Sequence, residues 1–214
     1  YTSKYKTFIL NYRVESTSVL NQAISQCKTP PKIWINSSTA TIYRHSLDKE
    51  MNEIDGETGT GFSVNVATAW EKVFFEHSSP KTRKVALRTA IVLGKNGGAL
   101  PPLVNLTKIG LGGKQGKGNQ KISWIHVMDL VRSVEFSVNI AHNHGPINFV
   151  SPKPVTNLMF MKTLRKVLRK PFGIPISKNL LAIGARIIRT ETELVLKSRN
   201  VIPTIQINNC FLFQ

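Results

Sequence analysis

The stretch Lys84-Val-Ala-Leu-Arg-Thr-Ala-Ile-Val-Leu-Gly94 is apolar at almost every interior position, and only Arg88 and Thr89 interrupt it. A nearly continuous apolar run is typical of a parallel strand that is buried on both faces, because a half-exposed strand alternates with polar residues. Two shorter apolar runs, Lys32–Ser38 and Pro146–Ser151, predict further strands of the same type. These runs together indicate a parallel sheet that is covered by helices.

Helical sequence lies before and between the predicted strands. Apolar residues recur at helical spacing in Phe8–Cys27, in Phe62–Glu76 and in His126–Ala141. Strands that alternate with helices predict an α/β fold, in which a parallel sheet carries helices on both faces.

The character of the sequence changes after residue 151. Val155–Lys170 is typical of a basic amphipathic helix with Thr156 as its N-cap, and helical sequence resumes over Ser177–Arg199. We expect the tail, residues 201–213, to be extended. The chain is therefore predicted to divide into a sheet domain, residues 1–151, and a small helical C-terminal lobe, residues 152–214.

The charge of the chain is strongly positive, with 29 Lys and Arg against 12 Asp and Glu and a formal net charge of +17. Such a charge suits a nucleic-acid or anionic-membrane partner. The basic residues are nevertheless scattered from Lys4 to Arg199, and no zinc-finger or RNP-type motif accompanies them. The densest cluster is the polar side of the helix after residue 155: Lys162, Arg165, Lys166, Arg169 and Lys170. We favour a solvated Lys-rich surface over a nucleic-acid partner and expect no membrane partner.

Cysteine content and hydropathy bear on the compartment. Cys27 and Cys210 lie near opposite ends without CxxC spacing, which is typical of reduced thiols, and no metal site is predicted. No apolar run approaches the roughly 18 residues of a membrane span, so we expect a cytoplasmic protein. The polar start at Tyr1, which is not Met, predicts that a segment precedes it.

Polar residues lie within or at the end of each predicted strand. Ser37 and Ser38 end the first, Arg88 and Thr89 interrupt the second, and Asn148 lies in the third. Ligands of parallel α/β sheets bind beyond the carboxyl ends of the strands, where hydroxyls can hydrogen-bond a carbonyl or a ribose. The alternatives stay open at this point: the serines also suit a turn. A charge inside an apolar strand needs an anionic partner, so Arg88 suits either a ligand phosphate or, as we favour, a structural carboxylate such as Asp129.

The glycine-rich run Gly110–Gly118 predicts a flexible loop, because Gly costs about 1 kcal/mol per position inside a helix. It satisfies neither GxGxxG nor GxxxxGK[ST], and no predicted strand directly precedes it, so it is not a dinucleotide-binding turn. We interpret it as a substrate-side loop, with Trp124, His126 and Asp129 where it joins the next helix. His126 suits an acid–base or a structural role, and Asp129 suits a helix cap.

Segments along the whole chain resemble the extended short-chain dehydrogenase/reductase superfamily. More narrowly, they resemble an atypical group of NAD-dependent epimerases/dehydratases that includes SulA-like cell-division-inhibitor homologues. The matching segments are Ile9–Ser16, Ser37–Tyr43, Ala69–Glu71, Leu87–Ala99, Gly110–Gly118, Gln120, Trp124–Asp129, Gly145–Asn148, Pro152, Pro154–Asn157 and Val201–Pro203.

The resemblance implies a Rossmann-like domain that binds NAD or NADP, with a small lobe that closes over an unknown polar small molecule, for example a nucleotide sugar. It implies cofactor contacts near Ser37, Ser38, Arg88, Thr89 and Val92, and substrate-side positions at Gln120, Trp124, His126 and Asp129. The best candidates for catalysis are Ser38 and Tyr43, whose hydroxyls can hydrogen-bond a reacting carbonyl.

Two departures from the superfamily pattern qualify the expected activity. The glycine-rich cofactor turn and the N-terminal strands of the sheet would precede Tyr1, so we expect this chain to be an N-terminally truncated member. The YxxxK pair of the superfamily would fall on Ser63 and Ala67, and Leu47 stands four residues after Tyr43. The expected function is an NAD(P)-binding epimerase-like or reductase-like protein. The alternatives are a catalytically inactive cofactor-binding protein, a remnant fragment and a basic nucleic-acid-binding module.

Overall fold

Short strands and longer helices alternate along the chain. The computed structural model describes residues 2–77, 79–140, 144–181 and 196–214. Its strands, in chain order, are β1 (Ile33–Thr39), β2 (Arg83–Thr89), β3 (Ile91–Gly94), β4 (Gly97–Gly98), β5 (Lys121–Ile122), β6 (Trp124–His126), β7 (Gly145–Phe149) and β8 (Val155–Thr156). Its helices are α1 (Ser3–Gln26), α2 (Phe62–Glu76), α3 (Leu100–Lys108), α4 (Val127–Asn139), α5 (Asn157–Val167) and α6 (Thr204–Asn208), and a 3-10 turn spans Ala40–Ile42.

The central sheet is parallel, with the strand order β1-β2-β7. Ser38 of β1 pairs in register with Arg88 of β2, which pairs with Asn148 of β7, so the carboxyl ends of the strands lie side by side. The predicted α/β class and the three predicted parallel strands are confirmed.

The second strand is shorter than the sequence predicted. The stretch from Lys84 to Gly94 divides at Ala90, where the chain passes from one sheet to another. The Ala90 N–H donates to the Phe149 carbonyl of β7 over 3.2 Å, whereas the Ile91 N–H donates to the Ser123 carbonyl over 3.3 Å. β3 accordingly belongs to a second sheet, of order β4-β3-β6, in which it runs parallel to β6. Hydropathy could not reveal this break, because apolar residues continue without interruption from Ala90 into β3.

Helices cover both faces of the central sheet. On one face α1 and α2 pack together, and the Asn21 side-chain amide donates to the Val73 carbonyl over 2.6 Å. On the other face Val85 and Ile147 are buried with Leu130 of α4 and Ile205 of α6. This double covering buries both Val85 and Ala86, whose side chains lie on opposite faces of β2.

The C-terminal region confirms one helix start and corrects the tail. Thr156 caps α5, since the Met159 N–H donates to its hydroxyl over 3.2 Å. The tail is not extended throughout, because Pro203 precedes the short helix α6, which buries Gln206. Most of the predicted helix Ser177–Arg199 lies outside the described residues. The division at residue 151 stays a prediction.

Within the described ranges, no helix is both long and apolar enough to cross a bilayer. The same ranges contain no group of three or more His, Cys, Asp or Glu that could hold a metal ion. Cys27 and Cys210 are exposed free thiols.

Candidate functional site at the carboxyl ends of the strands

A hydrogen-bonded network of polar side chains lies at the carboxyl ends of the central strands. Glu71 of α2 accepts from the Ser38 hydroxyl over 2.5 Å, from Arg88 Nε over 2.9 Å and from Arg88 Nη2 over 2.7 Å. Arg88 Nη1 donates to the Tyr43 hydroxyl over 2.9 Å, and that hydroxyl donates to Asn148 Oδ1 over 2.9 Å. The network therefore connects β1, α2, β2 and β7 through five side chains.

Tyr43 is almost completely enclosed, with 1% of its surface exposed. Burial raises the pKa of its hydroxyl, and this effect outweighs the nearby positive charge of Arg88, which lowers it. Tyr43 is therefore a protonated hydrogen-bond donor at neutral pH. A catalytic tyrosine that exchanges protons near neutral pH needs the opposite shift. Its catalytic assignment stays a prediction.

The carboxylate partner of Arg88 is Glu71, not Asp129 as the sequence suggested. Burial by itself would lower the pKa of Arg88, but the hydrogen bonds and the charge of Glu71 raise it above its usual value. The guanidinium is thus held toward α2 as a permanent cation. The sequence favoured a structural carboxylate over a ligand phosphate as the partner of Arg88, and the structure contains such a carboxylate.

Sequence reasoning missed Glu71, although a signal was present. Val64, Ala67, Glu71 and Phe74 are all buried along one side of α2, so a carboxylate occupies a position where helical spacing demands an apolar residue. It also missed Glu53, which accepts from the Asn148 N–H over 2.9 Å and from the Thr204 N–H over 3.1 Å. Burial raises the pKa of Glu53. No periodic pattern surrounds Glu53 in the sequence, so only the folded chain identifies its partners.

A second set of hydroxyls lies at the strand tips. Thr39 and Thr89 end β1 and β2 as an in-register pair and are half-buried, and Ser37 is exposed. The Thr39 hydroxyl donates to the Thr41 hydroxyl over 3.0 Å and accepts from the Thr41 N–H over 3.1 Å. Ser38 and Tyr43 are engaged in the interior network, so Ser37, Thr39 and Thr89 are the strand-end hydroxyls with the greater access to a ligand. Val92 lies in β3, opposite Ile125, and packs against the core.

The glycine-rich loop is fixed by backbone hydrogen bonds and is not open as expected. The Gly113 N–H donates to the Ile174 carbonyl over 3.1 Å, and the Gly116 N–H donates to the Ile176 carbonyl over 2.9 Å. A Cβ atom at Gly113 would lie 2.4 Å from backbone atoms of Ile174 and Pro175. Glycine is required here by a close approach of two chain segments, which sequence alone does not distinguish from flexibility.

The predicted substrate-side residues are spread over several structural environments. Gln120 is buried in the loop, where its Oε1 accepts from the Gly118 N–H over 2.8 Å and its Nε2 donates to the Gln115 carbonyl over 2.7 Å. Trp124 lies half-buried in β6, opposite Ile91 of β3.

His126, and not Asp129 as the sequence suggested, caps α4. His126 is the N-cap of α4, and its Nδ1 accepts from the Met128 N–H over 3.3 Å. Asp129 is buried, pairs with Arg132 over 2.8 Å and accepts from the Gln214 N–H. Asp129 therefore attaches the end of the chain to α4. Substrate contacts by any of these residues stay predictions.

Known proteins resemble this chain along its full length. No protein-family model matches it. The epimerase family protein SDR39U1 of Homo sapiens is 32% identical over 195 residues, which make up 91% of this chain and 66% of the human protein. The epimerase family protein YfhF of Bacillus subtilis is 31% identical over 213 residues, which make up 100% of this chain and 69% of that protein. The chain belongs to the epimerase family.

The solved structure of a family member has the same architecture. The crystal structure of human epimerase family protein SDR39U1 (isoform 2) with NADPH superimposes on this epimerase-family chain with a TM-score of 0.91 at 29% identity. The superposition covers 100% of this chain and 72% of the human one. This epimerase-family chain thus spans about two thirds of the length of the curated relatives it matches.

Proposed function

We propose that the protein binds NAD or NADP and acts, as an epimerase or reductase, on a polar small molecule. The observation that carries the proposal is the superposition of all of this chain on a family member whose structure was determined with NADPH. The carboxyl edge of the parallel sheet supports it, because that edge is where such folds bind dinucleotides.

The residues present fit one part of such a cofactor better than another. Hydroxyls at the strand tips, on Ser37, Thr39 and Thr89, suit hydrogen bonds to a ribose or a carboxamide. The Gly110–Gly118 loop lacks the spacing of a phosphate-binding turn, and Ile174 and Ile176 occupy several of its backbone groups. We therefore propose that this chain contacts the nicotinamide side of the cofactor.

The strand-end hydroxyls divide into two sets in this proposal. Thr39 contacts the ligand, and Ser38 and Tyr43 hold the Glu71–Arg88 pair, which keeps the strand tips in place. When bound, the nicotinamide would supply hydride chemistry. The chain's own contribution is to orient the ligand and to donate hydrogen bonds to its polar groups.

Saturation-transfer NMR on the protein with NADPH tests the cofactor assignment. We expect stronger transfer to the nicotinamide ring protons than to the adenine protons, since the strand tips contact the nicotinamide side. Thr39→Val should weaken this transfer, whereas Ser25→Val, at an exposed position near the end of α1, should leave it unchanged. Equal transfer to both rings, or no transfer with NADPH and NADH, would contradict the proposal.

A second candidate, cofactor binding without catalysis, has its own supporting observation. Ala67, which stands where the superfamily has the Lys of its YxxxK pair, is buried in the core beside Tyr43. Neither Ser63 nor Ala67 can lower the pKa of a tyrosine as that Lys does. NADPH binding with neither NADPH oxidation nor epimerisation of the sugar, across a panel of nucleotide sugars and simple ketones, would favour this second function. Either reaction would exclude it.

A further inference from the structure

One surface of the protein combines basic and exposed apolar side chains. It consists of three segments, residues 108–114, 162–170 and 172–178, and we name it the basic-apolar face. Hydrogen bonds join the segments: the Ile174 N–H donates to the Gly110 carbonyl over 2.8 Å, and Arg165 Nη1 donates to the Gly112 carbonyl over 2.6 Å. The face is therefore one continuous surface.

The charge of this face is positive without compensation in its own sequence. Residues 100–118 and 152–181 contain no Asp or Glu. Exposed basic side chains occupy all three segments of the face: Lys108, Lys114, Lys162, Lys166, Arg169, Lys170 and Lys178. Lys162, Lys166 and Lys170 follow one another at intervals of four residues, which places them along one side of α5 and the turn after it. The face thus presents a concentrated positive charge to solvent.

Bulky exposed apolar side chains lie on the same three segments. Ile109 is 72% exposed, Val167 is 73% exposed, Phe172 is 70% exposed and Ile174 is 57% exposed. Single exposed apolar residues are ordinary on protein surfaces. Four of them on joined segments, interleaved with basic residues, differ from the solvated Lys-rich surface that the sequence suggested.

We propose that the basic-apolar face docks on a membrane surface that contains anionic phospholipid. Basic side chains attract the lipid headgroups, and apolar side chains enter the boundary between headgroups and acyl chains, which is how interfacial proteins bind membranes. Three of the four apolar side chains are aliphatic. Single-stranded nucleic acids instead pair basic grooves with several stacking aromatic rings, so the composition of the face favours lipid.

Vesicle co-sedimentation tests the proposal. The protein should bind phosphatidylcholine vesicles that contain phosphatidylglycerol, should not bind vesicles of phosphatidylcholine alone, and should be released by salt. The triple variant Lys162→Glu/Lys166→Glu/Lys170→Glu should lower the partition coefficient at least about tenfold, since each basic residue near an anionic surface contributes to binding. The matched control Lys4→Glu/Lys28→Glu/Lys32→Glu reverses the same number of exposed charges outside the face and should have a much smaller effect.

A second pair of variants tests the apolar contribution. Phe172→Ser should reduce vesicle binding several-fold, whereas Phe8→Ser, at an exposed position on α1, should not. Circular dichroism of each variant reports whether the fold is retained. Equal binding to neutral vesicles, equal loss in the control variants, or binding to duplex DNA or single-stranded RNA but not to anionic vesicles would overturn the proposal.

Discussion

The buried pair of Glu71 and Arg88 permits a quantitative test of the network at the strand ends. Glu71→Leu removes the acceptor of three hydrogen bonds and leaves the Arg88 charge inside the protein without its carboxylate. Hydrogen bonds to charged groups contribute about 1.5–3 kcal/mol each. The net loss of stability is smaller than the sum of these three contributions, because Arg88 keeps its hydrogen bond to Tyr43. Breaking a buried ion pair typically costs about 3–5 kcal/mol, and we expect that loss here.

The double variant Glu71→Leu/Arg88→Met separates the pair from its surroundings. Replacing both charges by apolar side chains leaves no buried charge, so the double variant should be more stable than either single variant. The remaining loss comes from the Ser38 and Tyr43 hydroxyls, which lose partners in the network, at about 1 kcal/mol for each hydrogen bond.

The cycle compares wild type, Glu71→Leu, Arg88→Met and the double variant. Urea unfolding, followed by circular dichroism and by tryptophan fluorescence, measures the free energy of unfolding of each. A positive coupling of at least about 2 kcal/mol is expected for a pair in direct contact. The reasoning is refuted if Glu71→Leu costs less than about 1 kcal/mol, or if the double variant loses the sum of the two single losses.

Four further substitutions have expected outcomes. Hydrogen bonds from Arg44 and Lys49 hold the pKa of Glu57 at about 2. The Glu57 carboxylate therefore stabilises the fold above pH 4.5, and this stabilisation is lost as the pH falls toward 2. The Tm difference between wild type and Glu57→Gln should shrink over that range. Cys210 has a φ of 60°, so Cys210→Gly should raise the free energy of unfolding by about 0.5–1 kcal/mol in urea melts, and a loss would contradict the strain argument. Gly113→Ala should destabilise by about 1–3 kcal/mol through a backbone clash, whereas Gly97→Ala, with nothing within 4 Å, should be nearly neutral.

The sequence predicted the three central strands correctly, but it extended the second strand past its observed end at Thr89. It predicted only part of the hydrogen bonding between their side chains. Ser38, Arg88 and Asn148 were each expected in one of three parallel strands. The register of the sheet places them side by side. The carboxylate that joins Ser38 to Arg88 comes from α2, and it was not predicted. Helical spacing identifies Glu71 as a polar residue on an apolar side, but it does not identify the strand against which that side packs.

Local physical chemistry, readable in the sequence, determined the α/β class, the parallel strands and most helix positions. Apolar runs and helical spacing depend on neighbours within a few residues, so α2 was expected within the bounds at which it is found. The tertiary structure alone decided the break at Ala90, the closed packing of the glycine-rich loop and the gathering of the basic-apolar face. Each of these depends on contacts between segments far apart in the chain, which are fixed only when the whole core is packed.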